Sequence, residues 1–459
     1  SFENDYLNLP ALFAAAAIPL YAWQRGDNDP LVVFGGVCAF LNPEPLAEIV
    51  DLVAVGEAEP LLDGLLTGLQ APVARRDQLL AQLAQLPGIY VPVFYQPEYD
   101  DRGATFSVQH GFPKRIVRQY LANLDDSPSR NFIRTPATEF GHMALIEASR
   151  GCARACRFCA AGFIYRPFRE RSLGNLLGQI DEDLCQCDRI GLVAAAVADH
   201  SGFDRIQQHI IARGGELSVS SLRLDAITPA HVDRLHQAGH TSVAIAPEAG
   251  SQRLRDVINK GLSTEQIFTA AHALAAGGIR NLKMYFLIGL PTEGPADLEA
   301  IIDLTASLAG IWKDVGSARG QLGKVTISVN PFIPKPFTPL QWAAMTPEKE
   351  LKKKVRRLQA AIARIPNTRL LVESPRLATV QGLLSRGDRR VGRLLPQLAA
   401  GANLKHLCAA ESYPLEATLF QERRADECFA WEIIDQGFGR GYLRQEYERA
   451  LSTAGEISD

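Results

Sequence analysis

The chain of 459 residues has no apolar run of the eighteen or so residues that a membrane-spanning helix needs; its best candidate, Leu9 to Trp23, is broken by Pro10 and Pro19. It also lacks charge of one sign. A formal net charge of -3 gives no general pull toward nucleic acid or an anionic membrane. The opening Ser-Phe-Glu-Asn-Asp has neither a basic leader nor a small-residue cleavage site, and without an initial Met the sequence reads as a fragment. There is no low-complexity tract and no repeat of fixed period. Cysteine is scarce, at eight residues, and three of the eight fall between Cys152 and Cys159 while the rest are scattered. Such bunching does not suit a disulfide framework; it suits metal binding in a reducing compartment, with a cytoplasmic location as the expectation. With 47% hydrophobic and 22% charged residues, the composition is that of a folded globular protein, and the length accommodates a principal domain with smaller attachments.

The alternation of apolar runs and amphipathic stretches predicts an α/β protein. Leu31 to Phe34, stopped by Gly35-Gly36, and Ile49 to Val55, stopped by Gly56, read as strand, helix, strand, the unit of a doubly wound domain, within residues 1-95. Residues 96-137, rich in Pro, Gly, Asp and Ser, read as a connector. In the core, residues 138-345, strands are expected near 144-149, 191-198, 217-221, 241-246, 282-288 and 324-330 with helices between them. Six βα units in series imply a parallel barrel or partial barrel, a (β/α)6 TIM-like arrangement. Ser263 and Gln266 form a capping box at the start of one of its helices. Residues 346-459 read as mostly helical, with a charged run, Glu348 to Arg357, that suits a solvated helix face.

The first core strand leads straight into Glu147-Ala-Ser-Arg-Gly-Cys152-Ala-Arg-Ala-Cys156-Arg-Phe-Cys159. Thiolates are the ligands of iron-sulfur clusters, and a four-iron cubane normally takes four. Three leave one iron with open coordination positions, as a cluster needs if it is to bind a substrate. The alternatives are a zinc site completed by a residue such as His142, or three buried thiols; zinc ligands more often come as two separated cysteine pairs. The C-x3-C-x2-C spacing on the loop after the first strand of a six-unit barrel resembles the radical S-adenosylmethionine (radical SAM) superfamily. That resemblance implies a 4Fe-4S cluster on Cys152, Cys156 and Cys159, whose unique iron is chelated by S-adenosylmethionine. It further implies reductive cleavage of that cofactor to methionine and a 5'-deoxyadenosyl radical, and a low-potential electron donor such as flavodoxin or ferredoxin as partner. Phe158 matches the aromatic that the family sets beside the cofactor, against plain core packing.

In a parallel barrel the chemistry gathers at the C-terminal strand ends. After the second strand comes Ala198-Asp199-His200 where the family has a Gly-Gly-Glu turn; Asp199 supplies an acceptor for the cofactor's amino group or caps a helix. Ser221 and Arg223 on the third strand fall where the family contacts the methionine carboxylate and the ribose, with an ion pair at the barrel mouth as the alternative. Glu248 after the fourth strand matches a ribose or amine contact, and Gly289 with Pro291 after the fifth resembles the turn against the adenine. The proline-rich segment from Asn330 through Lys335 is expected to wall the substrate pocket. Six arginines, Arg150, Arg154, Arg157, Arg166, Arg169 and Arg171, suit an anionic substrate, with RNA admitted but not favoured; neutralising the anionic cluster and pairing with Glu170 and Asp181 account for them equally well. Cys38, Cys185, Cys187, Cys408 and Cys428 read as packing.

The amino-terminal segment resembles the second half of the cobalamin-binding Rossmann-like domain found before many radical SAM cores, and the core resembles a bacterial branch of that class. Cobalamin is therefore a further candidate cofactor, although the half that carries the base-off histidine is not in the sequence. The expected activity is hydrogen abstraction, or methyl transfer if cobalamin binds. The rivals are tRNA methylthiolation, disfavoured by the lack of a basic tail module or second cysteine triad, and a non-catalytic iron-sulfur binding or sensor protein.

Overall fold

A computed structural model describes residues 2-456, except 71-74, 101, 129, 132, 139, 220-223, 225, 226, 228-230, 235-239 and 321. The chain divides into two compact units, the first comprising Ser1–Leu121, Ile333–Glu348 and Pro375–Tyr447, the second Ala122–Phe332, Lys349–Ser374 and Glu448–Asp459. Among the described residues, no helix is long and apolar enough to cross a membrane.

In the first unit the expected strand, helix, strand is present: Val33–Phe34 pairs in parallel with Leu52–Ala54 across the helix Val37–Leu41. A third strand, Ile89–Tyr90, joins antiparallel. Leu52, Leu61, Leu65, Leu80, Leu83, Ile89 and Val91 close over them as one apolar cluster. The stretch read as a connector carries structure of its own, an antiparallel hairpin of Tyr95–Asp100 and Gly103–Val108. Its prolines and glycines sit at the turn and edges that a hairpin tolerates. Lys335, expected at a substrate pocket, pairs instead with the buried Glu3 at 2.6 Å.

The polar core of this unit is a buried ion pair. Glu44 is fully buried and meets Arg389 at 3.0 Å, while Tyr90 donates its hydroxyl hydrogen to the same carboxylate at 2.5 Å. Arg389 also donates to the carbonyls of Tyr95 at 2.8 Å and Pro92 at 3.3 Å. Burial alone would lower the guanidinium's pKa, but Glu44 and Tyr90 hold it above its ordinary value.

The second unit holds seven parallel strands among its described residues: β1 (Ala144–Glu147), β2 (Arg189–Val193), β3 (Glu216–Val219), β4 (Ser242–Glu248), β5 (Asn281–Ile288), β6 (Lys324–Pro331) and β7 (Thr368–Val372). They lie in chain order in two sheets, β1-β2-β3 and β4-β5-β6-β7, with neighbours parallel. Such order is that of a partial barrel built from successive βα units. Burial alternates strictly along β5 and β6: Leu282, Met284, Phe286 and Ile288 are buried, as are Val325, Ile327 and Val329, with half-buried residues between them. One face is thus fully covered, and residues of opposite parity look to the other.

Helices fill the connections: α1 (Leu173–Leu184), α2 (Phe203–Ala212), α3 (Gln252–Val257), α4 (Thr264–Ala276), α5 (Pro295–Ala318) and α6 (Glu348–Ile362). The expected capping box opens α4, the Ser263 hydroxyl accepting from the backbone N–H of Gln266. Helix α6 buries Leu351, Val355, Leu358 and Ile362 and leaves Lys352, Lys353, Arg356 and Arg357 in water, as the charged run implied. β7 is the departure from the reading of residues 346-459 as helical. Its five residues offer no alternation, and only the vacant edge of β6 makes it a strand.

Replacing Glu44 with Ala leaves Arg389 buried without its counter-charge, and the expected cost is about 3–5 kcal/mol. Urea denaturation checks it: the midpoint falls, with the slope unchanged. A midpoint within experimental error of wild type would mean that the pair does not organise this unit.

Candidate active site

The cysteine loop leaves β1 at Glu147 and is gripped at its base, where Ser149–Arg150 pairs antiparallel with Arg169–Glu170. Gly151 follows at φ +85°, and a Cβ there would fall 2.9 Å from the Tyr165 carbonyl, so glycine alone fits. The middle of the loop is tied to the end of α3. The Arg157 backbone N–H donates to the Ile258 carbonyl at 2.9 Å, its guanidinium donates to the Val257 carbonyl at 2.8 Å, and Asn259 donates to the Ala155 carbonyl at 3.0 Å. A cation at a helix C-terminus, where carbonyls are left over, is well placed.

Held this way, Cys152, Cys156 and Cys159 line one cavity of about 220 Å³. Its remaining wall comes from strand ends: Ala195 to Ala198 after β2, Leu224 after β3, Ala246 and Glu248 at the end of β4, and Lys260 with Leu262 after α3. Ala246 and Glu248 share the half-buried parity of β4, which sets both on the cavity face. Glu248 adopts φ +66°, a left-handed conformation that a non-glycine residue holds only where its surroundings demand it. Its carboxylate meets Lys260 Nζ at 3.2 Å, and the same ammonium lies 5.9 Å from the centre of the Phe158 ring. Burial pushes the Glu248 carboxyl up, with Lys260 opposing it. Burial likewise raises the Cys159 thiol to about 11, and Cys156, Cys152 and Glu248 add to the rise.

The other expected positions are distributed as follows. Asp199 ends a short 3-10 turn, Val197–Asp199, and its carboxylate is held by Arg154 of the cysteine loop through two bonds of 2.9 and 3.1 Å. Ser221 and Arg223 lie outside the described residues. Gly289 closes β5 at φ +81° and donates its N–H to the Glu293 carboxylate at 2.9 Å. Glu293 is itself buried and ion-paired with Lys354 on α6. Gly289 and Pro291 do not border the cysteine cavity. Nor does His142, which is exposed. Among the described residues, no group of three or more His, Cys, Asp or Glu side chains is placed to hold a single metal ion; the three thiols surround a cavity rather than a point.

The arginines of the loop are engaged by the protein itself. Arg150 pairs with Glu147, Arg154 with Asp199, and Arg157, Arg166, Arg169 and Arg171 donate to backbone carbonyls. Each of the six therefore already has partners within the protein, acids for Arg150 and Arg154 and chiefly backbone carbonyls for the others. Lys260 is the cavity residue that sequence reasoning undervalued, because a lysine after a helix reads as a surface charge. Of the remaining cysteines, Cys38 and Cys408 are buried as packing requires, whereas Cys185 is exposed.

Two family models match the chain, one described as the Radical SAM superfamily over residues 146–305 and one as Radical SAM proteins, N-terminal, over residues 1–92. An uncharacterized protein of Methanocaldococcus jannaschii is 30% identical over 400 residues, 86% of this chain and 78% of that protein. The chain belongs to the radical SAM superfamily. Solved structures similar to this radical SAM chain include the cobalamin-dependent S-adenosylmethionine radical enzyme OxsB with aqua-cobalamin bound, at TM-score 0.43 and 19% identity over 67% of this chain and 42% of that one. Coproporphyrinogen III oxidase (HemN) from Escherichia coli matches at TM-score 0.34 and 13% identity over 48% of this chain and 53% of that one. The chain thus spans about half or less of each of these two structures. As a radical SAM enzyme it takes a 4Fe-4S cluster and S-adenosylmethionine, and its residues fit the cluster: three thiols, one buried and two half-buried, line one cavity and are the ligand type that iron-sulfur clusters take.

Burial raises the Glu293 carboxyl, with Lys354 and the Gly289 N–H opposing that rise. In Lys354→Met the carboxyl rises further, so the variant is less stable than wild type at neutral pH by about 3 kcal/mol. A raised folded-state pKa means that stability falls as pH rises from the unfolded value toward the folded one. The deficit should therefore shrink on acidification toward pH ~4.5. Thermal unfolding of both proteins between pH ~4.5 and ~8 tests the sign; a deficit that grows on acidification would refute it.

Proposed function

We propose that Cys152, Cys156 and Cys159 ligate three irons of the cluster and that the cavity they line receives S-adenosylmethionine for hydrogen abstraction from an organic substrate. The observation that carries this reading is the shared cavity: three thiols, an aromatic ring, a carboxylate and an ammonium, drawn from loops after separate parallel strands, face the same space. A cluster so held supplies the electron that splits the cofactor's sulfonium bond to a 5'-deoxyadenosyl radical.

The chain's own residues bind, orient and exclude water. Arg157 and Asn259 tie the middle of the loop to the end of α3, which limits how far the thiols must move to meet a cluster. Glu248 is the acceptor for the cofactor's ammonium or ribose hydroxyls, and Lys260 the donor for its carboxylate; in the free enzyme each satisfies the other. Phe158 lines the cavity beside the Lys260 ammonium, apolar surface where a radical would otherwise meet water. Gly289, whose left-handed conformation is braced by its N–H bond to Glu293, and Pro291 lie outside this cavity, so the adenine contact expected of them would require the cofactor to extend beyond it. Asp199, occupied by Arg154, braces the cysteine loop against the end of β2. With the loop arginines engaged internally, tRNA methylthiolation has no support from a basic surface at this site.

Two measurements test this. Anaerobic reconstitution with iron and sulfide should load wild-type protein and fail in Cys152→Ala, Cys156→Ala and Cys159→Ala; unchanged iron in any of them removes that residue from the ligand set. With S-adenosylmethionine and dithionite, 5'-deoxyadenosine should form in wild type, whereas accumulation of S-adenosylhomocysteine would replace hydrogen abstraction by cobalamin-dependent methyl transfer. Lys260→Ala should keep its iron and lose about tenfold in cofactor affinity by equilibrium dialysis, the effect of one charge-assisted hydrogen bond.

A further inference from the structure

The first unit holds a cavity of about 530 Å³, formed wholly by its own residues, which the chemistry above does not use. Its size is within the range of small-molecule sites, about 300–1,000 Å³. Two arginines at the start of the helix Val391–Ala399 face it. Arg390 engages Asp388 through Nε at 3.0 Å and Nη2 at 2.6 Å, and Arg393 engages Glu48 through Nε at 2.8 Å and Nη2 at 2.5 Å. Each carboxylate thus takes one edge of its guanidinium and fixes the plane. The Nη1 group of each arginine makes no hydrogen bond among the described residues. Three residues apart at a helix start, the two are neighbours, and Arg390 is held further by the Tyr99 ring, 4.0 Å below it.

The rest of the wall suits a flat ring. Trp23 is 61% exposed, unusual for an indole, yet its plane is fixed by stacking on Tyr21 at 4.5 Å and 7°. Pro92 and Pro97 add rigid apolar surface. The carboxylates of the lining do not repel an anion unopposed, since Glu48 pairs with Arg393, and Asp51 with both Arg25 at 3.1 Å and Arg76 at 2.9 Å. Three buried polar atoms of lining residues, Arg76 Nε, Asp51 Oδ1 and Tyr99 Oη, lack any hydrogen-bond partner.

We propose that this cavity binds a small organic anion bearing a flat aromatic ring, its phosphate or carboxylate held by the Nη1 groups of Arg390 and Arg393 and its ring against Trp23. The site depends on neither iron nor S-adenosylmethionine. Isothermal titration of the full chain with 1-naphthyl phosphate and with 1-naphthoate tests it, with 1-naphthol as the neutral control. Saturable one-to-one binding of at least one anion is expected, tighter than the naphthol by about tenfold or more. Trp23→Ala and Arg393→Gln should each weaken it about tenfold, with thermal unfolding midpoints near wild type because both side chains are mostly exposed. Should Arg393→Gln fold poorly, Trp23→Ala decides alone. No saturable binding of either anion at millimolar concentration, equal affinity for the naphthol, or wild-type affinity in the folded variants would each overturn the proposal.

Discussion

In the second unit the strands of each sheet, β1-β2-β3 and β4-β5-β6-β7, run parallel to their neighbours, and the site depends on that constraint. Parallel pairing brings the C-terminal ends within a sheet to one edge, so the loops that follow open on the same side of that sheet. Cys152, Ala198, Leu224, Glu248 and Lys260 are far apart in sequence and still border one cavity. The order of the parallel strands brings the loops together, and the Glu248–Lys260 pair and the tethers from the cysteine loop to α3 hold them there. The strict burial alternation of β4 then decides which of its residues look inward, and a shift of one place would bury Glu248 against the helices instead.

Within that frame the arginines follow a consistent pattern. Around the cysteine loop they are consumed by carboxylates and carbonyls, so they act as struts. Arg157 and Arg171 are buried, and each bonds backbone that would otherwise be orphaned at a helix or loop end. Arg389 does the same in the first unit. At Arg390 and Arg393 the carboxylate takes one edge of the guanidinium, through Nε and Nη2, beside a cavity. Counting arginines in a sequence cannot separate these cases, because the distinction lies in which nitrogens are engaged.

The cysteine loop was legible because its chemistry is local: three thiols within eight residues announce themselves wherever the chain takes them. The six core strands were legible for a related reason, since apolar runs of five to eight residues broken by helical stretches leave few other arrangements. What stayed hidden was relational. Lys260 looks like a surface lysine until Glu248 and Phe158 flank it. Asp199 looks free until Arg154 reaches it. Thr368–Val372 looks like helix linker until the edge of β6 offers it hydrogen bonds. The hairpin in residues 95–108 was obscured by its own composition, as the residues that mark turns are those that mark linkers.

The route of the chain has a consequence for biosynthesis. It passes between the two units five times, after residues 121, 332, 348, 374 and 447. A nascent chain halted after β6 would therefore expose that strand's outer edge unpaired, since β7 emerges only some forty residues later. Neither unit can be finished on the ribosome before most of the other has been made. A polypeptide cut to the cysteine-bearing core alone would keep every residue of the cavity and lose the strand that seals its sheet, leaving a surface ready to pair with a second copy.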